Sequence, residues 1–85
     1  MGKQQFKEYE LHRNGEPIKE IVFSKYDALD ALEHNLMYTN EQWQLFEVTR
    51  LWKGLKELKR EEIFLPPHQQ RYVEQSRKEA ERWKS

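Results

Sequence analysis

The sequence predicts one small α+β domain: a β-hairpin, a helix, a third antiparallel strand (β-β-α-β) and a C-terminal helix. Three observations carry this. Apolar and polar residues alternate after Phe6, with Tyr9 and Leu11 sharing a face, and run into Asn14-Gly15, a dipeptide suited to tight hairpin turns. Leu29, Leu32 and Leu36 recur at helical spacing behind a capping serine. Trp43 to Trp52 is rich in aromatic and apolar residues of the kind that favour strands.

The first strand spans Gln5 to Arg13, with Tyr9 and Leu11 on one face. Both Asn14 and Gly15 tolerate the positive φ that a two-residue turn requires. Pro17 lacks an N–H, so it belongs at the start of a strand or on an edge. Ile18 to Phe23 reads as the returning strand, with Ile21 and Phe23 on one side and Val22 on the other.

Ser24 suits an N-cap, with Asp27 three residues on to meet the free N–H groups and the helix dipole. The helix then runs from Lys25 to Met37. Tyr26, Ala28 and Met37 flank its leucine stripe, while Asp27, Asp30, Glu33 and His34 form the solvated side, and Thr39-Asn40 ends it.

Trp43 to Trp52 is the third strand. Phe46, Val48 and Trp52 lie on one face and Trp43, Leu45 and Leu51 on the other. Apolar residues on both faces imply a strand covered on two sides, central in the sheet. Lys53 to Leu65 carries two signals. Leu51, Leu55 and Leu58 have helical spacing, whereas Gly54 suits a bulge or turn that lets a strand continue. Strand or turn is the favoured reading.

Pro66-Pro67 forms a rigid joint, and Pro67 can open a helix. His68 to Lys84 is helix-forming, with a thin stripe of Tyr72, Val73, Ser76, Ala80 and Trp83. Packing is expected through Tyr72 and Val73. Residues 1–65 thus form the core, and 66–85 a helix packed on it or extending from it. The first helix covers one face of a three-stranded sheet, leaving the second to cover the other.

Leu, Ile, Val and Phe supply 19 of the 85 residues, and three Trp and four Tyr add large aromatic surface at zero net charge. Cysteine is absent, which excludes disulfides and thiolate chemistry and suits a cytoplasmic setting. No stretch is apolar enough to span a bilayer, and MGKQQF does not resemble a signal peptide. Residues 1–49 carry a charge of −4 and residues 50–85 a charge of +4. That asymmetry fits either complementarity within the fold or a basic binding surface.

No motif assigns a reaction. Ser24 and Ser76 lack a nucleophile-elbow setting, and the acidic residues of the first helix lie on its solvated side. Asp30 and His34 share a helical face but make only two ligands, with His12 and His68 poorly spaced to help. The glycines form no phosphate loop. The expectation is therefore a non-enzymatic chain without metal or cofactor.

Two binding classes remain. Trp43, Trp52 and Trp83 are many large aromatics for so small a fold, and tryptophan is enriched at interface hot spots. They are the candidate protein-binding residues. The alternative is nucleic acid, held by Arg50, Lys53, Lys56, Lys59 and Arg60 with Trp52 stacking on an unpaired base. That patch is continuous if residues 53–60 are helical and splits between two faces if they are a strand. Self-association is also open, through the C-terminal helix or an edge strand.

The run VFSKYDALDALEHNL…WQLFEVTRL, within residues 22–51, resembles a pattern of small bacterial and phage proteins. In it a strand leads into Ser-x-x-Asp-Ala-Leu, an amphipathic helix and a closing aromatic strand. The resemblance implies a prophage-type accessory protein acting by binding another protein, and it brings no catalytic or ligand-binding residues.

Overall fold

A computed structural model describes residues 4–18 and 24–84. The order of elements is β1 (Gln5–Arg13), β2 (Glu16–Pro17), α1 (Lys25–Tyr38), β3 (Trp43–Leu51), β4 (Glu57–Ile63) and α2 (Pro67–Lys84). The strands form one antiparallel sheet in the order β2-β1-β3-β4. The α+β class is as the sequence predicts, and the sheet has four strands instead of three.

Asn14 and Gly15 make the first turn at φ 53° and 85°, the paired positive values that match the twist of a hairpin. Asn14 also ties down the start of β3: its N–H donates to the Gln42 carbonyl, and its Oδ1 accepts from the Gln42 N–H at 2.9 Å. Pro17 sits opposite His12 in an edge strand of two residues, where its missing N–H costs no internal ladder bond. Ile18 continues the hairpin through its N–H to the Leu11 carbonyl. The remainder of the expected returning strand, with Ile21, Val22 and Phe23, lies outside the described residues.

β3 is central, as its two-sided apolar pattern predicts. Its second turn contains Gly54 at φ 78° and Leu55 at φ 54°, and the Leu51 N–H closes it by donating to the Lys56 carbonyl. β4 follows. Strand is thus the conformation of 57–63, although Leu51, Leu55 and Leu58 have helical spacing: backbone pairing with β3 outweighs a weak local preference. A register irregularity at Thr49/Arg50 absorbs one extra residue of β4 around Leu58.

One sheet face meets α1. Leu11, Leu45 and Ile63 sit level across three strands. With Tyr9 they pack against Ala28, Leu29 and Leu32, while Leu36 and Met37 are half-buried at the margin. Ser24 caps α1 by accepting from the Asp27 N–H at 3.4 Å. Tyr26 departs from expectation. It is 80% exposed because its neighbour Ala28, not the tyrosine, turns toward the sheet.

α2 corrects a second expectation. Among the described elements it packs on α1 and on no strand, so it does not cover the far face of the sheet. Val73 enters the core, but Tyr72, one residue earlier and rotated by about 100°, stays exposed. Gln69 donates to Glu33 at 2.7 Å, and Arg77 donates to the Thr39 carbonyl at 3.1 Å where α1 ends. Ala80 and Glu81 still border the end of α1 at Met37, Tyr38 and Asn40, and Trp83 beyond them is exposed. The radius of gyration is 15.5 Å, against about 12 Å for a compact chain of this length.

Candidate interaction surface

The face of the sheet away from α1 meets no helix among the described residues. The register places Phe6, Glu8, Glu10 and His12 of β1 on it. Beside them stand Gln44, Phe46, Val48 and Arg50 of β3, and then Arg60 and Glu62 of β4. Val48 is nonetheless 0% exposed. Its cross-strand neighbours are Glu8 and Arg60, and Phe46 and Arg50 flank it along β3. The stems of Glu8, Arg50 and Arg60 and the Phe46 ring border it, while the charged ends of the three meet in ion pairs with one another and Glu10.

Those ends form one network. Arg50 donates to Glu8 and, at 3.3 Å, to Glu10, and also to the Leu55 carbonyl in the turn. Arg60 reaches Glu10 at 2.9 Å and Glu57 at 2.8 Å, with its guanidinium 5.7 Å from the centre of the Phe46 ring. His12 lies edge-on to the same ring and 3.2 Å from Glu10. Burial raises the Glu10 pKa, but hydrogen bonds from Arg60 and His12 outweigh it and leave the carboxyl below its ordinary value. Glu57 is lowered chiefly by Arg60, and Arg60 is raised by Glu57 and Glu10. On the other face, burial raises Glu47, yet bonds from Tyr9 and Lys7 bring its net shift downward.

This network decides where the candidate basic residues stand. β4 is a strand, and the five split. Arg50 and Arg60 are engaged by carboxylates on the open face, and Lys59, on the α1 face, pairs with Glu61 at 3.0 Å. Lys53 and Lys56 flank the β3–β4 turn and are exposed.

The tryptophans also separate. Trp43 is half-buried against the core, and its Nε1–H donates to Thr39 Oγ1 at 2.6 Å, so it joins α1 to β3. Trp52 stands at the other end of β3, roughly 30 Å away by strand length, and is 57% exposed. Its ring lies 4.3 Å from Phe6, and its N–H donates to the Gln4 carbonyl. Trp83, 88% exposed, is near the free end of α2.

At the β3–β4 tip, then, Trp52, Leu55 and Leu58 are exposed together beside two lysines. The sequence reading missed Phe6, Leu55 and Leu58 as members of this surface. Phe6 is recruited by the β1–β3 register, which no local pattern specifies. The available signal was Leu55 itself, an apolar residue directly after a turn glycine.

A concavity of about 230 Å³ lies where α1, β3 and the start of α2 meet the end of β4, lined by Leu36, Trp43, Ile63, Phe64 and Gln70 among others. Its walls are mainly apolar and hold no pair of titratable groups suited to proton transfer. Among the described residues no three His, Cys, Asp or Glu side chains gather as a metal site, and no helix is long and apolar enough to cross a membrane. Comparison with protein-family models, curated proteins and solved structures finds no match to the chain.

Proposed function

We propose that this chain is a non-enzymatic protein-interaction module whose contact surface is the β3–β4 tip, with Trp52 as its anchor. The observation that carries this reading is the joint exposure of Trp52, Leu55 and Leu58 at one end of the sheet; Tyr26, Tyr38, Phe64, Tyr72 and Trp83 are exposed as well, but they are spread over the two helices and the segment that joins β4 to α2. Exposed aromatic and aliphatic groups ringed by charge are the usual composition of an interface centre. Phe6 holds the Trp52 ring, which reduces the entropy lost on binding. Lys53 and Lys56 favour a partner surface with acidic residues around an apolar pocket. The absence of cysteine suits a cytoplasmic setting, and a prophage-type accessory role fits such a module.

The test is partner capture by the wild type, Trp52→Ala and Lys56→Glu, each checked for folding by circular dichroism. Trp52→Ala should weaken capture about thirtyfold, the roughly 2 kcal/mol of a hot spot. Lys56→Glu should change it little. Equal retention by wild type and Trp52→Ala overturns the reading.

Nucleic acid is the second reading, favoured by the two lysines beside an exposed indole. Among the described residues Arg50, Lys59 and Arg60 are paired with carboxylates, which leaves Lys53 and Lys56 to neutralise phosphates. Binding to single strands would then show a salt slope near −1.4, about −0.7 for each of two contacts. An NMR titration with oligonucleotides at two salt concentrations distinguishes the readings. Salt-sensitive shifts at residues 50–60 favour nucleic acid, and their absence favours protein.

A further inference from the structure

We propose that the free edge of β4 pairs antiparallel with the β4 edge of a second copy about a dyad at Arg60, joining two four-stranded sheets into one. The inference does not rest on the tip described above.

The strand order leaves β4 outermost, and among the described elements it contacts only β3. Residues 57–62 are all exposed. Half of an edge strand's backbone donors and acceptors point away from the sheet and can be paired by another strand. Charge on an edge normally discourages such pairing. The order of charges in Glu-Leu-Lys-Arg-Glu-Glu-Ile exempts one partner, a copy of itself run in reverse.

A two-fold axis perpendicular to the sheet keeps each face on its own side, so residues that meet must have the same parity. With Arg60 on the axis, Lys59 meets Glu61 of the second copy, and Glu61 meets its Lys59. These four side chains lie on the α1 face, where Lys59 and Glu61 already pair at 3.0 Å within one chain. The second copy completes a square of alternating sign in which each lysine borders two glutamates. Opposite charges placed directly across strands stabilise a ladder.

The dyad itself brings two Arg60 side chains together. Each is already answered by Glu10 at 2.9 Å and Glu57 at 2.8 Å on the open face, so the repulsion is compensated within each chain. Shifting the register by two residues toward Lys59 sets Glu57 against Glu61. Shifting it the other way sets Glu61 against itself. The opposite edge of the sheet carries Pro17, which has no N–H to offer, and that favours a closed pair over a growing ribbon.

Sedimentation velocity tests this with the wild type, Lys59→Glu, Glu61→Lys and an equimolar mixture of the two variants. The wild type should approach twice its 10.5 kDa mass as concentration rises. Each variant alone presents four like charges at the dyad and should remain at the single-chain mass. The mixture sets glutamates against lysines throughout and should recover the doubled mass, which also shows that both variants are folded. A wild type that stays monomeric overturns the proposal. So does a dimer that survives in both variants, and one lost in Trp83→Ala but not in Lys59→Glu would place the contact on α2.

Discussion

Arg60 crosses the full width of β3 to reach Glu10 on β1, its Nη1 2.9 Å from Oε1 and its guanidinium alongside Phe46. Three strands are thereby joined on a face that no described helix covers. Glu10→Gln keeps the shape and removes the charge that Arg50, Arg60 and His12 share. The pairs are partly exposed, so a loss of about 1 kcal/mol is expected, read as a lower urea midpoint with unchanged m.

The same network sets an acid limit. Glu10, Glu47 and Glu57 all titrate below the ordinary 4.5 in the folded chain. Carboxyls lowered by folding contribute stability that is complete above the unfolded value and is lost as pH falls through the folded values. The urea midpoint should therefore be flat above about pH 5.5 and fall progressively below about pH 4.5. Glu10→Gln should make that fall shallower. A midpoint that rises on acidification would contradict the assignment.

Among the described residues Val48 is bordered by the side chains of Glu8, Phe46, Arg50 and Arg60, and Leu45 by α1 and two neighbouring strands. Both are fully buried. Leu45→Ala should cost about 3 kcal/mol, and Val48→Ala about 2 kcal/mol for two methyl groups and the space they leave. Equilibrium denaturation measures both. A Val48→Ala cost near zero would mean that the salt network does not exclude water.

How much of this was legible in the sequence follows range of interaction. The Asn14-Gly15 turn, the Ser24 cap and the Leu29/Leu32 stripe depend on neighbours within four residues, and each is found where its pattern places it. β4 was visible only as a preference, because a run of Glu, Lys and Arg has no alternation to read and becomes a strand by pairing with β3. Of the three tryptophans, composition could not separate Trp43, hydrogen-bonded into the fold, from Trp52 and Trp83, which are exposed. That separation depends on where β3 ends and on which residues of α2 border α1. The dispersal of the basic cluster was legible conditionally, since a strand at 57–63 divides it between faces.

α2 should divide in two. Val73 packs in the core, and Arg77 holds the end of α1, whereas Trp83 near the helix end is exposed. Val73→Ala should cost about 2 kcal/mol or slightly more. Trp83→Ala, at a side chain 88% exposed, should shift stability by less than about 0.5 kcal/mol. Amide exchange offers a second measure, slow around Val73 and fast after Lys78. Protection extending to Trp83 at high concentration would show that another molecule covers the helix end.

Leu55 tests whether the tip is retained for binding rather than for folding. Its φ of 54° is in the left-handed region, where a bulky side chain costs roughly 1 kcal/mol, and its side chain is exposed, so little packing offsets that cost. Leu55→Gly removes the strain, though glycine also gains freedom in the unfolded chain. The net expectation is unchanged or higher stability, by up to about 1 kcal/mol. Gly54→Ala, at φ 78° with open space around its Cβ position, should lose a similar amount through backbone strain alone. If the tip engages a partner, Leu55→Gly should also weaken capture while the fold holds or tightens. Stability and binding would then move in opposite directions, which a residue kept only for packing cannot produce.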